Sequence, residues 1–102
     1  MIDLQEKHRS EILSILLSHV PECDVRAYGS RVKGTTKPWS DLDLVVVGSE
    51  RLGSRRLFRL QEAFEDSSLP FRVEILDWYA ISEEFQNIIS ARYEVIKPAR
   101  ER

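Results

Sequence analysis

The chain has 102 residues, of which 42% are hydrophobic and 31% are charged, as is ordinary for a soluble globular protein. Its formal net charge of -2 excludes the overall basic field of many nucleic-acid-binding proteins, so we expect no direct nucleic-acid binding. No apolar run approaches the ~20 residues of a membrane span, and acidic and basic residues are mixed near the N-terminus, unlike a signal peptide. We expect one domain over residues 1–102, no membrane segment and a cytoplasmic location, which the single cysteine also favours.

The first predicted elements are a helix and a strand. Apolar residues form a broad stripe from Asp3 to about Val20, which predicts a helix that Pro21 ends. The segment Asp24 to Tyr28 is predicted to be the first strand, with alternate side chains on one face.

The stretch from Gly29 to Asp43 carries the strongest chemical pattern in the chain. Gly29-Ser30 ends the first strand and begins a short helix that Gly34 ends; a glycine there lets a phosphate approach the backbone amides. Asp41 and Asp43 stand at the head of the next strand, where alternation puts their side chains on one face. Carboxylates that close repel unless a cation lies between them, and Mg²⁺ prefers such oxygen ligands. The pattern predicts a phosphate site beside a metal site.

Three basic residues, Arg31, Lys33 and Lys37, fall within the same stretch. They indicate either groups that neutralise a nucleotide triphosphate or a solvated basic loop. The sequence leaves both interpretations open for each of them.

The following segments predict a central strand, a long helix and a half-buried strand. Leu42 to Val47 is the most apolar segment and is predicted to be central, and Arg51 to about Asp66 is predicted to be a helix. Phe71 to Leu76 alternates apolar and polar side chains, as a half-buried strand does. Glu74 lies in the middle of this strand, where a carboxylate is costly unless it is paired or bound to a metal.

The C-terminal part predicts one more helix and an extended segment. The helix runs from Ile81 to about Ala91, with Ser82 as its N-cap. Tyr93 to Ile96 is predicted to be a short strand or an extended tail, and Pro98 with the charged ending predicts fraying.

Gly29-Ser30, then ten residues, then Asp41-x-Asp43 and a strand resembles the signature of the DNA polymerase β-type nucleotidyltransferase superfamily. The small size is similar to that of its minimal nucleotidyltransferase branch, and the resemblance extends from about Asp24 to Ile96. It implies an α/β (α+β) fold in which a small mixed β-sheet is flanked by helices, and a single minimal nucleotidyltransferase domain over residues 1–102.

The resemblance also implies which residues carry the chemistry. The catalytic and metal-binding carboxylates, which would hold two Mg²⁺ ions, are Asp41, Asp43 and Glu74. The nucleotide-binding residues are Gly29, Ser30, Arg31 and Lys37. Aspartate is more usual than glutamate at the third acidic position; Asp77 is a nearby substitute, but it falls at the strand end on the other face.

The implied reaction is Mg²⁺-dependent transfer of AMP from ATP to a hydroxyl. By resemblance, the acceptor is a tyrosine of a HEPN-domain partner toxin, for which this chain is the antitoxin. A chain of 102 residues has no part left to hold the base or the acceptor, which also favours a partner. One alternative is a catalytically weak or inactive nucleotide-binding module that acts by binding its partner, and another is a structural metal site without a nucleotide role.

Overall fold

The computed structural model describes residues 4–34 and 40–100. The helices and strands follow one another as α1 (Glu6–His19), β1 (Asp24–Tyr28), α2 (Ser30–Lys33), β2 (Leu42–Val47), α3 (Ser54–Glu65), β3 (Val73–Asp77), a 3₁₀ helix (Trp78–Ala80), α4 (Glu83–Ala91) and β4 (Glu94–Lys97). None of the described helices combines the length and the apolar character that a membrane crossing requires.

The strands form one mixed sheet in the order β3-β2-β1-β4. β2 pairs with β3 in parallel, whereas β1 pairs antiparallel with both β2 and β4. The predicted mixed sheet and the central position of β2 are therefore confirmed.

One face of the sheet packs against α1 and α3 to form the main core. The side chains that point to this face are alternate residues of the three adjacent strands β1, β2 and β3, as the period of a strand requires. Fully buried examples are Ala27, Leu44 and Val46, and they belong to one cluster with Ile12 and Leu16 of α1 and Leu60 of α3. The other face carries the odd-numbered residues of β2, among them Asp43.

Several element boundaries differ from those predicted. α3 begins at Ser54, because Gly53 has a φ of 93° and cannot continue a helix. β3 extends to Asp77, and backbone amides of the tail are hydrogen-bonded up to Arg100. There the amide of Ala99 donates to Asp24, and that of Arg100 donates to the carbonyl of Pro21. The predicted fraying also falls on residues 101–102, which lie outside the described residues.

Candidate active site

Three polar side chains form a row across adjacent strands on the face away from the main core. Tyr28 of β1 lies opposite Asp43 of β2, and Asp43 lies beside Glu74 of β3. Residues paired in this way point to the same face of a sheet. Asp43 and Glu74, which the resemblance assigned to one site, therefore lie side by side on the same face.

The backbone at Gly29 passes directly against the Asp43 carboxylate. Gly29 has a φ of 82°, and a Cβ at this position would collide with Asp43 Oδ2. Only glycine combines this backbone conformation with so close an approach. The carbonyl of Gly29 then accepts bonds from the amides of Val32 and Lys33, both at 3.1 Å, which start α2. Gly34 ends α2 in the left-handed conformation, as predicted.

The site concentrates negative charge. Partial burial raises the pKa of Asp43, and the neighbouring charges of Glu74 and Asp41 raise it further. No described residue offers this carboxyl a hydrogen bond or ion pair that would lower its pKa. Burial first, and then the charges of Asp43 and Glu74, also raise the pKa of Tyr28, so its hydroxyl stays protonated at neutral pH.

The flanking carboxylates are more exposed than Asp43. Glu74 is exposed, so the expectation that its charge is costly through burial is wrong; that cost falls on the half-buried Asp43. Asp41 is exposed too and precedes the first residue of β2. Across residues 4–34 and 40–100, no three His, Cys, Asp or Glu side chains stand close enough together to hold a metal ion. The donor chemistry nevertheless suits a hard cation, because a cation would relieve the repulsion at Asp43.

Asp77 has a structural role. It is 4% exposed, lies on the opposite face from Glu74, and accepts bonds from the amides of Leu52 at 2.7 Å and Tyr79 at 3.1 Å. These bonds fix the start of the 3₁₀ helix and the loop before α3. Asp77 is therefore not the third carboxylate of the site.

The structure places only some of the predicted nucleotide-binding residues at the site. Gly29 and Ser30 lie at the site, where Ser30 is the first residue of α2. The Arg31 side chain is 5% exposed and turns instead to the carbonyl of Ser40, to which Nε and an Nη donate at 3.1 and 2.8 Å. Lys37 lies outside the described residues.

Two aromatic residues adjoin the site, although the sequence did not predict them as site residues. The rings of Tyr28 and Phe85 meet edge to face, with 5.7 Å between centroids, so α4 adjoins the row of polar side chains. Ile88 of the same helix is 63% exposed. The position of Tyr28, directly before Gly29, was the only sequence signal that it lies at the site.

Residues 9–98 match the family described as the nucleotidyltransferase domain. The probable protein adenylyltransferase MntA of Haemophilus influenzae is 44% identical over 96 residues, which are 94% of this chain and 84% of that protein. A crystal structure of a toxin–antitoxin with AMP-PNP is similar with a TM-score of 0.74 at 19% identity, covering 90% of this chain and 74% of the other. A complex of tri-AMPylated Shewanella oneidensis HEPN toxin with MNT antitoxin has a TM-score of 0.70 at 17% identity, covering 94% and 74%. These two solved structures support the fold.

Proposed function

Since the chain belongs to the nucleotidyltransferase domain family, we propose that it transfers AMP from ATP to a tyrosine hydroxyl of a HEPN-domain partner toxin and acts as the antitoxin. The observation that carries this proposal is the pairing of Asp43 with Glu74 on parallel strands, with the backbone of Gly29 against the Asp43 carboxylate. A phosphate-accessible backbone beside concentrated negative charge is what a metal–nucleotide complex requires.

In the proposed site, Asp41, Asp43 and Glu74 hold Mg²⁺. Asp41 and Glu74 are exposed, so their side chains have the rotational freedom to turn towards the half-buried Asp43. When bound, Mg²⁺ supplies the positive charge that neutralises the triphosphate and the developing charge of the reaction. This role explains why the fold retains a repulsive group of carboxylates.

The other residues bind and orient the substrates. The Gly29 backbone and the Ser30 hydroxyl bind phosphate oxygens at the start of α2. The acceptor oxygen forms a bond to the α-phosphorus, the bond to the bridging oxygen breaks, and pyrophosphate leaves. Glu74 accepts the proton of the acceptor hydroxyl. Tyr28, which stays protonated, closes one side of the site together with Phe85.

A HEPN-domain partner is supported by the relatives. The similar curated protein is named a probable protein adenylyltransferase, and the similar solved structures are toxin–antitoxin complexes, one of which contains an AMPylated HEPN toxin. The exposed Ile88 on α4, the helix that adjoins the site, provides an apolar surface next to the place where an acceptor must enter.

The test is incubation of this protein with a HEPN-domain partner, ATP and Mg²⁺, followed by intact-mass spectrometry. We expect a mass gain of one or more AMP units on the partner, located on tyrosine, and its loss when the metal is chelated. Asp43→Asn is expected to abolish the gain, whereas Glu65→Gln, on an exposed residue at the end of α3, is expected to preserve it. Transfer by a folded Asp43→Asn protein at the wild-type rate would contradict the assignment.

One observation favours the alternative of a non-catalytic nucleotide-binding module, namely that Asp41, Asp43 and Glu74 are not gathered at metal-binding distance among the described residues. Binding of AMP-PNP and of the partner without any mass gain on the partner would identify this alternative. Binding of the partner with an AMP mass gain would exclude it.

We also propose a cytoplasmic location. The only cysteine, Cys23, is buried, and burial raises the pKa of its thiol, so it is unsuited to forming disulfides. Fluorescence imaging of a tagged chain, with fractionation, would test this location.

A further inference from the structure

We propose that Arg31 is a positioning residue, whose buried guanidinium links the three chain segments that carry the site. The inference rests on the proposed function for its catalytic consequence, but not for its structural part. Arg31 follows Gly29-Ser30 on α2, and its side chain contacts both the residue before Asp41 and the segment that leads into β3.

The first contact fixes the approach to β2. Nε and an Nη of Arg31 both donate to the carbonyl of Ser40, at 3.1 and 2.8 Å. Ser40 directly precedes Asp41, so these two hydrogen bonds hold the peptide that begins the Asp41-x-Asp43 segment. Two charge-assisted bonds from one planar group fix an acceptor in direction as well as in distance.

The second contact fixes the start of β3. The guanidinium carbon of Arg31 lies 4.2 Å from the ring centroid of Phe71, which is 9% exposed and belongs to the main core. One residue further on, the carbonyl of Arg72 accepts the amide of Leu42 at 2.9 Å, which joins the starts of β2 and β3. The parallel pairing of Asp43 with Glu74 follows directly from this junction.

The position of Arg31 explains why it acts through the backbone. Its stacking partner Phe71 lies on the core face with Val73 and Ile75, whereas Asp43 and Glu74 lie on the opposite face. The guanidinium therefore contacts the segments that lead into β2 and β3 on the side of the sheet away from the two carboxylates. Lysine would retain the charge, but it has neither the paired N–H donors of a guanidinium nor the flat surface that stacks on the ring.

The test compares Arg31→Lys, Phe71→Leu and the double variant. Misplacing reacting groups lowers turnover steeply, so we expect Arg31→Lys to lower kcat for AMP transfer about tenfold or more. The KM for ATP should change by no more than about twofold, because the substrate loses no direct contact. Phe71→Leu should reproduce part of the kcat loss, and the double variant should lose less than the two single losses combined.

Two controls separate this role from simple destabilisation. The His8 ring also packs on Phe71, with 5.5 Å between the ring centroids. His8→Leu removes this contact but leaves Arg31 in place, and it should leave kcat unchanged. Amide hydrogen exchange of the Arg31→Lys protein should be about tenfold faster at Leu42, while exchange in β4 stays at the wild-type rate.

Other outcomes overturn the inference. An Arg31 that binds phosphate directly would give an Arg31→Lys protein with a raised KM for ATP, a nearly unchanged kcat and no sensitivity to Phe71→Leu. If the wild-type protein transfers no AMP, the proposed function fails, but the exchange rate at Leu42 and Mn²⁺ affinity, measured by electron paramagnetic resonance, still decide the role of Arg31. Wild-type values for both in Arg31→Lys would refute it.

Discussion

Charged side chains near the two ends of β2 have opposite surroundings: at one end they have hydrogen-bond partners, and at the other they lie beside like charges. At the far end of the sheet, Lys97 is 3% exposed and donates to three carbonyls, those of Pro21, Cys23 and Pro98, while Asp77 accepts from two amides. At the site end, Asp43 is surrounded by the negative charges of Glu74 and Asp41, and no described group lowers its pKa.

The charged groups at the far end stabilise the folded state, whereas those at the site end destabilise it unless a proton or a cation binds. A buried charge whose hydrogen-bonding capacity is satisfied by nearby backbone is part of the folded structure, and removing it leaves polar groups unpaired. Like charges held together raise the free energy of the folded state until a proton or a cation joins them. Substitutions at the two ends should therefore move stability and activity in different directions.

The largest effect is expected for Asp43→Asn. The change keeps the shape of the side chain and removes the charge that a cation requires, so AMP transfer should fall by roughly 10³-fold, equivalent to about 4 kcal/mol. The melting temperature should not fall, because like-charge repulsion is removed. Transfer rates and thermal melts measured on the same preparation test both parts.

The matched control is the same substitution at the far end. Asp77→Asn loses an acceptor for one of its two amide partners and should lower the free energy of unfolding by about 1–2 kcal/mol. Transfer per folded molecule should be retained. If Asp43→Asn lowered the melting temperature as much as Asp77→Asn does, the distinction between the two ends would be lost.

The next effect is on stability alone. Lys97→Met keeps the length of the side chain but removes the ammonium donor from the carbonyls of Pro21, Cys23 and Pro98, of which that of Pro21 keeps the Arg100 amide. We expect a loss of about 2–3 kcal/mol in the free energy of unfolding, with unchanged AMP transfer at a temperature where the variant is folded. Urea denaturation measures the loss; a variant as stable as the wild type would show that water replaces the ammonium group.

The sequence predicted the strands of the site better than the contacts between them. The bounds of β1 and β2 follow from local alternation and from Gly29, and they are confirmed. The burial of Arg31 could not be read from the sequence, because it depends on Ser40 and on Phe71, which is distant along the chain. Likewise, nothing local indicates that Phe85 meets Tyr28. Side-chain contacts between distant segments arise only once the sheet has formed.

A smaller effect is expected from two glycines with similar backbone conformations. Gly29 and Gly53 have φ values of 82° and 93°, so an alanine at either position costs about 1–3 kcal/mol of strain. A Cβ at Gly53 would meet nothing within 4 Å, whereas one at Gly29 would meet the Asp43 carboxylate. Gly29→Ala should therefore lose more stability than Gly53→Ala, and it alone should impair transfer. Equal losses of activity in both variants would show that Gly29 matters only for its backbone conformation.

The smallest effect concerns pH and stability. The folded-state pKa of Asp43 is raised above its unfolded value, so ionisation of this group opposes folding. That destabilisation is complete above the folded-state pKa and disappears as the pH falls below about 4, where the unfolded chain is protonated too. Asp43→Asn should therefore melt slightly higher than the wild type at pH 8, and the difference should shrink towards zero in acid. Adding Mg²⁺ with AMP-PNP at pH 8 should stabilise the wild type more than Asp43→Asn and reverse the order, because the variant lacks one of the three carboxylates proposed to hold the cation. A difference in melting temperature that stays constant from pH 8 to pH 4 would mean that ionisation of Asp43 does not oppose folding. The contrast between the two ends of β2 would then rest on Lys97 and Asp77 alone.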